Sequence, residues 1–165
     1  MVTEADQQDF SALIERHAGI LRKVATTYCR DADDRADLAQ DILAQLWAAW
    51  PRYDRSRPFS TWMYRVALNV AISHLRGVYR NRRHIVPMGP EHLNIQDRAA
   101  QSDGGPQRLA LETLVASLDP LNRALLLLYL DERSHREIGE ILGLSETNVG
   151  TRIGRLKQRI RGKAG

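Results

Sequence analysis

The side chains in this chain that could do chemistry bind phosphates and base edges; they do not attack or transfer groups. Cys29 is the single cysteine and no base stands in an obvious relation to it. His17, His74, His84, His92 and His135 show no metal-ligand spacing, and no glycine-rich phosphate loop occurs. Catalysis, cofactor binding and a metal centre are therefore not expected. What remains is guanidinium: of 24 basic residues only Lys23, Lys157 and Lys163 are lysine. Arginine's planar fork suits phosphate and guanine. A genome biased toward arginine codons gives the same composition, so the placement of the arginines carries the argument. They cluster at Arg76 to Arg83 and again from Arg152 to Lys163, whereas Asp31, Asp33, Asp34, Asp37 and Asp41 form an acidic patch.

The C-terminal cluster sits on a patterned helix. Arg152, Arg155 and Arg159 recur at i, i+3 and i+7, beside an apolar stripe of Val149, Ile153, Leu156 and Ile160. The segment before it, Arg136 to Ser145, supplies the parts of a helix-turn-helix. Gly139 is a small residue where a second helix crosses the first, Gly143 tolerates the φ > 0 of the turn, and Ser145 caps the following helix. An ordinary helical hairpin with a solvated basic face shares some of these features, but the turn, the small residue and the spacing agree on a DNA-binding unit.

A second set lies mid-chain. At 100° per residue, Trp62, Arg65, Asn69, Ser73, Arg76 and Arg80 fall in one narrow sector of a helix whose other positions are mostly apolar: Met63, Val66, Ala67, Leu68, Val70, Ala71, Ile72 and Leu75. The sector combines an aromatic for stacking, an amide for a base edge and guanidinium groups for phosphates. By itself the same stripe also suits a face turned to water.

The elements that position these two sets are helical throughout. Leu13, Ile14, Ile20, Leu21 and Val24 mark an early helix or helix pair; Leu38, Ile42, Leu46 and Trp50 repeat at four-residue steps until Pro51 stops them. Residues 52–58 read as a loop, Ser60 or Thr61 as the cap of the next helix, and Trp62 to about Gly77 as that helix. Between His84 and Gln107 the glycines and prolines, including Gly104, Gly105 and Pro106, break any long helix. The expected organisation is all-α, with a helical domain at 1–84, a flexible linker at 85–106 and a helix-turn-helix domain at 107–165. A lone cysteine argues against an oxidising compartment, the polar, acidic N-terminus is no secretion signal, and the longest apolar run, Ala124 to Leu130, cannot cross a bilayer. A cytoplasmic protein without membrane insertion is expected.

Three motifs in order resemble the extracytoplasmic-function subgroup of bacterial RNA polymerase sigma factors: Asp37-Leu38-Ala39-Gln40-Asp41, Phe59-Ser60-Thr61-Trp62-Met63-Tyr64-Arg65-Val66-Ala67-Leu68-Asn69, and the terminal helix-turn-helix. The likeness covers nearly the whole chain. It implies that Asp37, Gln40 and Asp41 meet the clamp coiled coil of the largest polymerase subunit, and that Leu121 to Tyr129 help grip the flap of the second subunit. It implies a -10 element surface of Arg55, Phe59, Ser60, Trp62, Arg65, Asn69, Arg76 and Arg80, with Asn69 bonding an extruded base. For the -35 element it implies Asn148, Thr151, Arg152, Arg155 and Arg159. The partners implied are core RNA polymerase, promoter DNA and an anti-sigma protein, in many such systems a membrane-anchored one. The tether is compatible with a compact and an extended arrangement of the two domains.

One departure from the family stands out: Gly150 and Gly154 occupy places where it often has a basic and a bulky residue. Each costs about 1 kcal/mol of helix propensity relative to alanine, and each is expected to remove a side chain from the groove. The alternative is a stand-alone helix-turn-helix regulator with an N-terminal sensory or dimerisation domain. Such a regulator needs neither the Asp-Leu-x-Gln-Asp helix nor the Trp-to-Asn stripe.

Overall fold

A computed structural model describes residues 3–84 and 105–164, and among them every regular element is a helix. Thr3 opens α1 (Glu4–Arg16) through a capping box in which its Oγ1 accepts from the Asp6 amide at 3.1 Å and Asp6 Oδ2 accepts from the Thr3 amide at 3.0 Å. His17 separates α1 from α2 (Ala18–Tyr28), and Asp31 caps α3 (Ala32–Ala49). Pro51 stops α3 as expected, leaving one 3-10 turn at Trp50–Arg52 before the loop that leads to α4 (Phe59–His84).

Helix α4 begins earlier than the sequence suggested. The Pro58 carbonyl accepts from the Trp62 amide at 3.4 Å, so the helical turn opens at Phe59, and Ser60 and Thr61 lie within it as residues of the first turn, not caps. A capping position needs a carbonyl but no N–H, which is why proline can fill it. The helix also runs through Gly77, whose propensity cost of about 1 kcal/mol is too small to end it.

The second unit follows the same local rules. Helix α5 (Gly105–Ser117) has Pro106 in its first turn, so Gly105 and Pro106 start a helix where the sequence suggested the end of the linker. The remainder of the expected linker, 85–104, lies outside the described residues. Asp119 caps α6 (Pro120–Leu130), Ser134 caps α7 (His135–Leu142) and Ser145 caps α8 (Glu146–Ala164), each by accepting a backbone N–H three residues on. The N-terminal core is Val24 of α2, Leu38, Ile42 and Leu46 of α3, and Met63, Ala67 and Ala71 of α4, all 0% exposed. Full burial of each larger aliphatic stabilises by about 1.5–3 kcal/mol. Leu118, Leu125, Leu128, Ile138 and Ile153 play the same part in the C-terminal unit.

Arg123 is the one buried charged residue among those described. Its Nε donates to the Leu118 carbonyl at 3.0 Å and its Nη2 to the Ala116 carbonyl at 2.9 Å, so it closes the orphan carbonyls at the end of α5. The two units touch: α2 and α4 pack against α6, α4 also against α7, and Tyr28 Oη donates to the Pro120 carbonyl at 2.7 Å. Among the described residues no helix is long and apolar enough to cross a membrane.

Candidate nucleic-acid interface

Helix α4 buries Met63, Tyr64, Ala67, Leu68 and Ala71 and leaves Arg65, Asn69 and Arg76 exposed, so the stripe read from the periodicity is present. Trp62 and Ser60 are half-buried, and the Ser60 hydroxyl accepts from Arg133 Nη1 at 3.2 Å. Arg80 lies on α4, but its side chain is outside the described residues. Phe59, expected at the DNA surface, is instead buried at 6% exposure, because the early start of α4 turns it inward against His17, Trp50, Tyr53 and Trp62. It braces the surface without presenting itself.

That brace was not foreseen. Trp62 stands 4.9 Å from Tyr53, 5.4 Å from Phe59 and 6.1 Å from Trp50 between ring centroids, and Phe10 of α1 meets Trp47 at 5.1 Å and Trp50 at 5.4 Å. Each such pair adds about 0.5–1.5 kcal/mol beyond burial. The aromatics were visible in the sequence, but nothing local says that Phe10 reaches them.

The loop before α4 is held by its own residues. Asp54 Oδ1 accepts from the Ser56 amide at 3.0 Å and the Ser56 hydroxyl at 2.7 Å, bonds that hold the Asp54 carboxyl below the usual range, and Tyr53 Oη donates to the Arg57 carbonyl at 2.7 Å. Arg55 reaches back to α1, 3.4 Å from Asp6 and 3.5 Å from Asp9, with its guanidinium 5.3 Å from the Trp50 ring centre. Its side chain stays 61% exposed, so these ion pairs are weak and readily exchanged for a phosphate. Between loop and α1 opens a cavity of about 420 Å³ lined by Asp9, Leu13, Arg16, Trp50, Tyr53 and Arg55 among others.

On α3, Leu38, Ile42 and Leu46 face the core, which leaves Asp37, Gln40 and Asp41 together on the exposed side. Asp33 and Asp34 sit in its first turn, where negative charge complements the helix dipole.

The helix-turn-helix is α7 and α8. Gly143 adopts φ 72°, and Ser145 Oγ accepts from the Asn148 amide at 3.1 Å. Gly139 is required, though for a neighbour other than the second helix's side chains: an added Cβ would lie 2.5 Å from the Leu144 carbonyl oxygen of the turn. Val149, Ile153 and Leu156 are buried, and Thr151, Arg155 and Arg159 are exposed on α8. Asn148 and Arg152 are half-buried and bonded to each other, Arg152 Nε donating to Asn148 Oδ1 at 3.0 Å. The two glycines differ. Gly154 is exposed with nothing nearby, so its missing side chain does leave a solvent-facing gap. A Cβ on Gly150 would meet the His135 ring at 3.4 Å, so that position faces the start of α7, and the expectation that it empties a place in the groove is corrected.

The geometry therefore presents two exposed surfaces that carry arginine, one on the braced helix α4 and one on the helix-turn-helix of α7 and α8. Residues 13–81 match the sigma-70 region 2 family and residues 108–160 the sigma-70 region 4 family. The RNA polymerase sigma factor CnrH of Cupriavidus metallidurans is 30% identical over 94% of this chain and 86% of its own length, and the ECF RNA polymerase sigma factor SigW of Bacillus subtilis is 24% identical over 97% and 91%. The structure of CnrH in complex with the cytosolic domain of CnrY superposes with a TM-score of 0.69 at 28% identity, covering 96% of this chain. The sigma factor RpoE with its anti-sigma factor NepR from Bartonella quintana shares the fold, with a TM-score of 0.70 at 19% identity over 94% of this chain. The chain belongs to the extracytoplasmic-function sigma factors, which bind core RNA polymerase and direct it to promoters.

Proposed function

We propose that 1–84 forms the unit that docks the polymerase clamp and opens the -10 element, that 85–106 links it, and that 107–165 reads the -35 element. The observation that carries this reading is the exposed Arg65-Asn69-Arg76 stripe on a helix that buries Met63, Tyr64, Ala67, Leu68 and Ala71 in the core. Asn69 bonds an extruded base, and the cavity beside Trp50, Tyr53 and Arg55 has the aromatic wall and cation to receive one. Arg55, Arg65, Arg76 and Arg80 neutralise the strand, Ser60 and Trp62 line its path, and Phe59 fixes that surface from below. Capture of a flipped base offsets an unstacking cost of a few kcal/mol, so opening needs no ATP.

Asp37, Gln40 and Asp41 offer an acidic face to a basic coiled coil. Thr151, Arg155 and Arg159 contact the -35 duplex, and Asn148 with Arg152 acts there as a pre-bonded pair. Polymerase performs the chemistry, so the chain itself catalyses nothing and acts in the cytoplasm. Its inhibitor is an anti-sigma protein of which the cytosolic part binds, as in the CnrH–CnrY complex. The test is transcription by purified core polymerase from a random promoter library. Initiation restricted to a subset of promoters is expected; a chain that neither binds core nor supports initiation would overturn the reading.

A further inference from the structure

His135, which opens α7, has no part in the surface proposed above for the -35 element. It is exposed, and its ring makes no hydrogen bond or ion pair among the described residues. The ring nevertheless lies against α8. A Cβ built on Gly150 would stand 3.4 Å from His135 Nδ1 and 3.7 Å from Cε1, so the imidazole covers the backbone of α8 where residue 150 has no side chain. Gly154, one turn on and about 40° further round the helix, adds a space with nothing within 4 Å.

The flank of α8 that these glycines share is poor in groups for phosphate. Glu146 begins it with a carboxylate, Gly150 and Gly154 add no side chain, and Lys157 is held 4.6 Å from the Tyr129 ring centre. Arg155 and Arg159 lie on the other side of Thr151. In a helix-turn-helix the second helix enters the groove while the first crosses the backbone, so an imidazole at the start of the first helix and beside the second stands where a phosphate passes.

We infer that His135 is a contact to the -35 duplex that stands in for the side chain missing at residue 150: an imidazole N–H donates to a backbone phosphate on the glycine side of α8. The inference rests on the assignment of α8 to the -35 element. Glycine at 150 is part of the device, because a Cβ there already touches the ring and a longer side chain would compete with it for the same place. Residues 135 and 150 thus act as one position, at which either can supply the donor.

Three variants of the full chain, assembled with core polymerase on a selected promoter, test it. His135→Phe keeps a ring against α8 and removes the N–H; His135→Ala removes both; Gly150→Arg added to His135→Ala returns a donor from α8 itself. Each single His135 variant should weaken promoter binding about tenfold, the effect of one lost hydrogen bond to a charged group, with thermal unfolding unchanged. Gly150→Arg should restore affinity in the His135→Ala chain and gain little in the parent, where the ring fills the space, so the two changes are non-additive. Ethylation of one phosphate beside the -35 element should interfere with binding by the parent and not by His135→Ala. Parent-like affinity of His135→Phe, or an ethylation pattern that His135→Ala leaves unchanged, overturns the inference; His135→Ala decides alone should His135→Phe fold poorly. Arg155→Ala separates this from the underlying assignment. If it weakens binding while the His135 variants do not, only the inference falls; if the parent binds intact and scrambled -35 elements equally, the assignment of α8 falls and the inference with it.

Discussion

Helix α4, over its described side chains, keeps a narrow exposed stripe of polar residues while its apolar positions are buried or half-buried; α8 buries only Val149, Ile153 and Leu156 and leaves most of its other residues exposed or half-exposed. The difference matches the two forms of DNA proposed for them. An extruded base must find its partner at a fixed place, and α4 is fixed by α2, α3 and an aromatic brace. A duplex groove supplies its own geometry, so α8 needs only the correct angle, set by Gly139 and the αL residue Gly143. Precision is built around one helix and into the turn before the other.

Removing the brace is the strongest way to break this comparison. Phe59→Ala empties a core position and should destabilise the N-terminal unit by about 3–5 kcal/mol, read by thermal unfolding, with -10 strand binding lost. At the other head, Gly139→Val drives a side chain into the Leu144 carbonyl; a loss of about 3 kcal/mol is expected, with -35 binding abolished and clamp binding retained. If Gly139→Val were neutral, the turn would not set the angle of α8.

Asn69→Ala isolates the chemistry of α4 from its packing, since the side chain is exposed. Core binding and stability should persist while open-complex formation, followed by permanganate reactivity, falls about 10- to 100-fold. Arg155→Ala should weaken -35 binding by roughly tenfold and lower the salt slope by about one if it neutralises a phosphate; unchanged affinity removes it from the surface. The smallest effect sharpens the contrast between the glycines. Gly154→Ala enters open space and should stabilise by about 1 kcal/mol, whereas Gly150→Ala must also fit against His135 and should gain less.

What could be read from the sequence was what local rules encode. The α4 stripe follows from a 3.6-residue period, and the helix-turn-helix from Gly139, Gly143 and Ser145, whose bonds span only a few residues. The inward turn of Phe59 was missed because Pro58, not Ser60 or Thr61, starts the helix. Gly150 was assigned to the groove because helix phase alone does not say where His135 lies. The contacts between units were least accessible: Lys23 and Asp131 are 108 positions apart, and an exposed lysine and a turn aspartate carry no mark of each other.

The central claim is that two individually weak heads read one promoter only when polymerase holds them in register. Transcription by the reconstituted holoenzyme, on a selected promoter whose -35 to -10 spacing is varied, tests it most directly, with -35 duplex binding by the free chain measured alongside. The account predicts that inserting about five base pairs, half a helical turn, abolishes initiation, and that the free chain binds the -35 duplex far more weakly than the holoenzyme binds the promoter. Initiation indifferent to spacing, or free-chain binding as tight as that of the holoenzyme, would contradict it.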